Sequence, residues 1–168
     1  SKTYMVSMMN LSYREIIKSD YEFLREILYD ALFIPEGEKP VDKTVVDLPE
    51  ISKYINNWGL SSDFGIIAGV NEQPVGAIWG RLFNKNNKGY GYVDENTPEL
   101  TMAIKSEYRN QGIGESMISR FFQLAGDKGY KYLSLSVDKR NRACNFYLRQ
   151  GFKIVGELGT AYTMRKEI

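Results

Sequence analysis

Apolar and polar positions along this chain switch between two periods, and the switches mark out its elements. "LSYREI" (11–16) alternates as a strand does, and Ser19 and Asp20 stand where a helix N-cap belongs. Phe23, Leu24, Ile27, Leu28 and Ala31 then recur at helical spacing, which predicts a helix reaching about Phe33. Residues 34–50 carry too many breakers and charges for either period and read mostly as loop, with a short helix following at about 50–58. "FGIIAGV" (64–70) and "VGAIWGRLF" (75–83), joined by the turn "NEQP" (71–74), predict an antiparallel hairpin. A polar, glycine-bearing connection (84–92) leads to the strand "ELTMAI" (99–104).

A helix over about 112–127 follows, with Ile113, Met117, Ile118, Phe121, Leu124 and Ala125 on one face. "YLSLSV" (132–137) alternates strictly, residues 141–149 read as a helix closed by Gly151, and "FKIVGE" (152–157) with "AYTMRK" (161–166) makes a second hairpin. The stretch 99–137 is a β-α-β unit, so its strands are expected to be parallel with a right-handed crossover. The flanking hairpins demand antiparallel pairs. The pattern therefore predicts an α/β fold with a mixed sheet covered by helices, as one domain over 1–168, with 1–9 as a loose N-terminal extension.

Composition narrows the chemistry. Hydrophobic residues make up 43% and charged residues 26%, the mix of a soluble globular domain, and the net charge of +1 gives no general pull toward nucleic acid or an anionic membrane. No apolar run approaches the ~20 residues of a membrane span. The single Cys144 cannot form an internal disulfide, so a cytoplasmic setting is expected. With no histidine, the chain has no His-based triad and no His-ligated metal site, and no metal is expected.

The most informative local feature is Arg109-Asn110-Gln111-Gly112-Ile113-Gly114, between a strand and a helix N-terminus. Unpaired amides and the helix dipole make such a place an anion site, and Arg109 adds a bidentate donor. A nucleoside-triphosphate loop would need lysine and then Ser/Thr after the second glycine, where Glu115 and Ser116 stand. A dinucleotide fingerprint would need a third glycine, where Met117 stands. A glycine turn that merely starts a helix is the plainer alternative.

The motif has a companion. Residues 98–137 resemble the acetyl-CoA-binding core of the GCN5-related N-acetyltransferase (GNAT) superfamily, with its strand, R/Q-x-x-G-x-G/A turn, helix and strand. "NRACNFYLRQGFKIVG" (141–156) resembles the family's next motif, an Asn-x-Ala run leading through an aromatic and Tyr to Gly-Phe. This resemblance implies a single-domain fold with a mostly antiparallel sheet, one splayed parallel pair and helices on both faces. It implies acetyl-CoA as donor, with the pyrophosphate on the 111–114 amides and Arg109, and with Asn110 in the same turn. Met102, Ala103 and Ile104 would pair through their backbone with the pantetheine arm, and Asn141 would reach the coenzyme or cap the helix it precedes.

Acetyl transfer by direct attack in a ternary complex needs a neutral amine. A lysine-like amine is neutral in only about one molecule in 2,500 at pH 7, worth roughly 4.6 kcal/mol. Glu99 is the candidate base, directly or through water, with an exposed strand-end carboxylate as the alternative reading. Tyr147, at the family's acid position beside the coenzyme, is the candidate donor to the leaving thiolate, with a core aromatic as its alternative. A backbone N–H near Met102 or Ala103 would serve the developing oxyanion. Tyr90, Tyr92 and Trp79 could line an acceptor pocket, with core or hairpin packing as the equal alternative, and Cys144 reads as a small buried residue.

Glu36, Glu38, Asp42, Asp47 and Glu50, against Lys39 and Lys43, give the 34–50 loop an acidic balance that would favour a cationic acceptor, a small-molecule or peptide amine, with a merely solvated charged loop as the plainer alternative. The apolar side of the last hairpin suits a homodimer. A non-catalytic acyl-CoA-binding or regulatory domain of the same family is the alternative function.

Overall fold

In a computed structural model, which describes residues 10–168, the elements follow the expected order. Strand β1 (Leu11–Glu15) leads to helix α1 (Tyr21–Ala31), a 3-10 turn and the one-turn helix α2 (Pro49–Ser52). Then come β2 (Phe64–Val70), β3 (Gln73–Arg81), β4 (Glu99–Ile104), α3 (Ile113–Asp127), β5 (Tyr132–Asp138), α4 (Ala143–Arg149), β6 (Lys153–Leu158) and β7 (Ala161–Glu167). The proposed extension over 1–9 lies outside the described residues.

Seven strands form one sheet in the order β1-β2-β3-β4-β5-β7-β6. Every pairing is antiparallel except β4 with β5. All seven residues of β2 are buried, which is why that strand reads as an apolar run rather than an alternation. It turns into β3 through Asn71 and Glu72, both at positive φ (50° and 68°), the two left-handed positions of a tight hairpin turn.

Alternation divides the apolar side chains between two faces. Phe64, Ile66, Ile78, Leu100, Leu133 and Leu135 pack with the apolar stripe of α3, Ile113, Met117, Ile118 and Phe121. Ile67, Ala77, Trp79 and Ala103 pack on the other face with Leu24, Ile27 and Leu28 of α1 and with Tyr54, Ile55 and Trp58. Helices thus cover both faces.

The short helix expected at about 50–58 is confined to Pro49–Ser52, with turns following it, and two further helices have boundaries that differ from the sequence reading for identifiable reasons. Asp20 does not cap α1 with its side chain. Its carboxylate is held by the Arg14 guanidinium at 2.7 and 2.8 Å and accepts the Ile17 N–H, and α1 stops at Ala31 because Leu32 is extended. Helix α4 starts at Ala143 rather than 141, since Asn141 Oδ1 accepts the Ala143 N–H at 2.9 Å and so stands outside the helix. Gly151, at φ 98°, ends it as expected, with the Phe152 N–H returning to Tyr147 O.

A buried ion pair fixes the ground behind the later site. Arg81, at the end of β3 and opposite Glu99, donates to Asp63 through two bonds of 3.0 and 2.8 Å and to the carbonyls of Lys53 and Asn56. Removing the guanidinium strands a buried carboxylate and two carbonyls. Arg81→Met is expected to cost about 3–5 kcal/mol in urea unfolding, and a loss near zero would show that the segment 53–63 is held by other contacts.

Candidate active site

The site begins with a failure of pairing. β4 is bonded to β3 over its whole length and β5 to β7 over its whole length, but β4 and β5 meet at one register pair, Glu99 with Ser134. Beyond that pair the two strands part. The parting opens a cleft of about 1480 Å³ lined by β4, by residues 135–138 of β5 and by the start and inner face of α4. The end of α1, the 31–36 segment, Tyr54 and Tyr90 line it from the other face of the sheet.

At the wide end of the parting lies the turn before α3. Asn110 and Gly112 both sit at positive φ, 59° and 84°. The first bond into the helix is Ser116 N–H to Gly112 O, so the amides of 111–115 find no acceptor among the described residues. A Cβ on Gly112 would touch nothing within 4 Å, and one on Gly114 would make only ordinary contacts with Ile104 and Phe146. Protein packing alone therefore does not demand glycine at 114. Arg109 is anchored through Nε to Ile104 O at 2.8 Å, which leaves its terminal nitrogens free of partners among the described residues.

Most of the residues singled out in the sequence meet in this cleft. Glu99, Met102, Ala103, Ile104, Arg109, Asn110, Gly112, Gly114, Asn141 and Tyr147 all line it. Two do not. The Ile113 side chain enters the core under the sheet, and Gln111 folds back to donate to Glu107 O at 3.1 Å, so only their amides are offered to the turn. Trp79 is fully buried, and its indole N–H donates to Tyr54 O, so it belongs to the core and not to a pocket. Tyr92 packs against the α1 core, whereas Tyr90 reaches the cleft. Cys144 is half-buried rather than buried, and its thiol donates to Asp138 O. Of the five acids in the 34–50 loop only Glu36 and Glu38 line the cleft; Asp47 is paired with Arg25, and Asp42 caps Thr44.

Glu99 is not an exposed strand end. It is 3% exposed, on the α1 face of the sheet, and Tyr54 donates its hydroxyl to Oε2. The Tyr90 amide in turn donates to that hydroxyl at 2.7 Å. Burial pushes the Glu99 carboxyl up to about 7; the Tyr54 hydroxyl, the nearby Gly91 amide and the charge of Lys53 pull the other way. The Gly91 amide lies near without hydrogen-bond geometry, and Oε1 has no partner among the described residues. Tyr54 was invisible as a site residue in the sequence. Its spacing with Ile51, Ile55 and Trp58 reads as core, and its acidic partner lies 45 positions away.

Tyr147 approaches from the opposite face. It is 7% exposed, stacked on Phe146 at 5.5 Å and edge-on to Phe152. Its hydroxyl has no hydrogen-bond partner among the described residues, and burial raises the phenol well above its ordinary value. The core-aromatic alternative fits the ring, which packs in the core, and the residue also lines the cleft.

This architecture has known relatives. The sequence pattern of the acetyltransferase (GNAT) family matches residues 21–152. No curated protein sequence matches the chain. Among solved structures, it is similar to the PaiA N-acetyltransferase from Thermoplasma acidophilum in complex with coenzyme A, at 20% identity and a TM-score of 0.67 over 95% of this chain and 100% of that one. It is also similar to a GNAT-family acetyltransferase from Streptococcus pneumoniae, at 20% identity and 0.66 over 95% and 100%. A ribosomal-protein-alanine N-acetyltransferase from Brucella melitensis matches at 19% and 0.65 over 94% and 99%. With well over half of its length matching the family pattern, the chain belongs to the acetyltransferase (GNAT) family and is an acetyl-CoA-dependent acetyltransferase.

Proposed function

We propose that this enzyme acetylates a cationic primary amine, of a small molecule or a peptide, by direct attack, with Glu99 as base and Tyr147 as acid. The observation that carries the reading is the parting of β4 from β5, because one opening joins two buried titratable groups on opposite faces of the sheet. A proton leaves the amine on one side and must arrive at sulfur on the other. Glu99 and Tyr147 stand on those two sides.

The donor fits the residues present. The unpaired amides of 111–114, with Asn110 beside them, and the free end of Arg109 suit a pyrophosphate, and the space at Gly114 suits its approach. The side of β4 turned away from β3 has no strand partner around Met102, Ala103 and Ile104, and apart from the Ile104 carbonyl, which holds Arg109, it suits an extended amide-bearing arm. Asn141 Oδ1 caps α4 and its amide nitrogen remains to donate into the cleft. Acetyl-CoA bound there supplies an acetyl group activated as a thioester.

Glu99 suits the base role because a carboxyl near 7 accepts a proton far better than one at the ordinary 4.5. It must be ionised to act, so it is lost as pH falls through about 7. Tyr147 stays protonated throughout the neutral range. Its raised pKa opposes donation, but the same dry surroundings destabilise a thiolate and so raise its demand for a proton. Glu36 and Glu38 at the cleft rim favour a positively charged acceptor. The free Cys144 supports the cytoplasmic setting we assign. The edge strand β6, with Ile154, Val155 and Leu158 45%, 47% and 60% exposed, supports a homodimer.

Thiol release from acetyl-CoA with a panel of amines tests the reaction; coenzyme binding without turnover of any amine would return the chain to a regulatory role. The rate at limiting amine should fall tenfold per pH unit below about 7. Glu99→Gln should lower kcat by roughly 10²–10⁴-fold and abolish that limb. Tyr54→Phe removes a donor that favours the charged carboxylate, so it should move the limb to higher pH. Tyr147→Phe should lower kcat while leaving the KM for acetyl-CoA nearly unchanged; an unaltered kcat would remove Tyr147 from the chemistry. Sedimentation equilibrium should give the mass of two chains, reduced to one by Val155→Lys, and a monomeric parent would retire the dimer.

A further inference from the structure

Among the described residues, three buried side-chain atoms have no hydrogen-bond partner in the protein: Glu99 Oε1, Ser134 Oγ and Gln111 Oε1. Two of the three are neighbours. Glu99 and Ser134 form the one register pair between β4 and β5, at the closed end of the parting. Paired residues on adjacent strands, roughly 4.8 Å apart, project to the same face. Leu100, Leu133 and Leu135 all enter the α3 core, so alternation sends Glu99 and Ser134 together to the other face. Ser134 is fully buried there.

The space is closed from above by backbone. A Cβ on Gly89 would come within 2.2 Å of Glu99 Oε1, and one on Gly91 within 2.4 Å of the Leu135 carbonyl carbon. The 89–91 segment therefore lies over the Glu99 carboxyl and over the β5 backbone just beyond Ser134.

The Gly91 amide lies near the Glu99 carboxyl without hydrogen-bond geometry, and no charged or titratable side chain among the described residues satisfies Oε1. Tyr54 is committed to Oε2, with the Tyr90 amide behind it. Arg81, opposite Glu99 on β3, is held by Asp63 and by the carbonyls of Lys53 and Asn56. The Lys53 ammonium is held by Asn87 Oδ1 and Lys88 O. A carboxylate oxygen and a hydroxyl left dry side by side are costly, and protein interiors relieve such sites by enclosing water.

We propose that Glu99 Oε1 and Ser134 Oγ hold one buried water between them, and that Ser134 is thereby a positioning residue for Glu99. The water donates to Oε1 and to or from the serine hydroxyl. Tyr54 and this water then grip the two carboxylate oxygens separately, fix the plane of the carboxyl and favour its charged form. The binding of the water stands on the geometry of the pair; its importance for turnover rests on the reading of Glu99 as base.

The test separates those two claims. Carbon-13 NMR of glutamate-labelled, substrate-free protein follows the Glu99 carboxyl, identified as the signal missing from Glu99→Gln. Ser134→Ala removes only a hydroxyl and should raise the Glu99 pKa by about one unit, and Ser134→Thr, which keeps a hydroxyl, should restore it. A titration unchanged or lowered in Ser134→Ala would overturn the proposal. So would a high-resolution crystal structure with no water within hydrogen-bond distance of both oxygens. If the NMR titration moves while the acid limb of the rate profile does not, the serine's role stands and Glu99 is not the base.

Discussion

The structure turns on one parallel pairing that stops after a single residue pair. Parallel strands normally continue to bond, and each buried backbone group left unpaired is costly. Here the parting persists because each strand is fully satisfied on its outer side, β4 by β3 and β5 by β7. The final hairpin matters for this reason: β7 inserts between β5 and β6 and gives β5 its second neighbour. The unsatisfied inner edges then become an asset, since an extended ligand with its own amides can complete them.

The same geometry explains where each kind of chemistry sits. At the wide end the chain leaves β4, turns through two left-handed residues and presents a helix N-terminus. That end is made for negative charge. At the closed end lie the buried carboxyl of Glu99 and the hydroxyls of Tyr54 and Ser134. Holding a carboxyl at about 7 instead of 4.5 amounts to about 3 kcal/mol of lost folding stability above pH 7. The unfolded chain ionises first as pH rises from 4.5, so that stability is intact below 4.5 and gone above about 7. The Arg81–Asp63 pair, fully bonded one strand away, anchors the frame that withstands this strain without neutralising the carboxyl.

How much of this the sequence disclosed follows from the range of each interaction. Strict alternation in "YLSLSV" and the helical stripe of 113–125 made the strand, helix and their faces legible, because those signals are local. The turn at 109–114 was legible for the same reason. Glu99 was legible as a candidate, but its burial was not: alternation assigns a face without saying whether that face is wet. Here it is covered by Tyr54 and the 89–91 segment, brought in from elsewhere in the chain. Ser134 carried a polar residue's usual sign of exposure and is fully buried. Trp79 reads equally well as pocket or core in the sequence, and its full burial and its bond to Tyr54 O decide for the core.

With Glu99 as the base and Tyr147 as the acid we propose, their placement on opposite faces has a consequence for the order of events. Were both groups on one face, a carboxylate and a phenol could share a hydrogen bond and each would blunt the other. Separated by the sheet, they share no direct bond among the described residues and stay poised independently, Glu99 near neutrality and Tyr147 well above it. Proton removal and proton delivery are then coupled only through the reacting group lodged between the parted strands. Neither face can complete the transfer alone, so an empty cleft cannot short-circuit it. The strand parting is thus the point at which the two halves of the reaction meet.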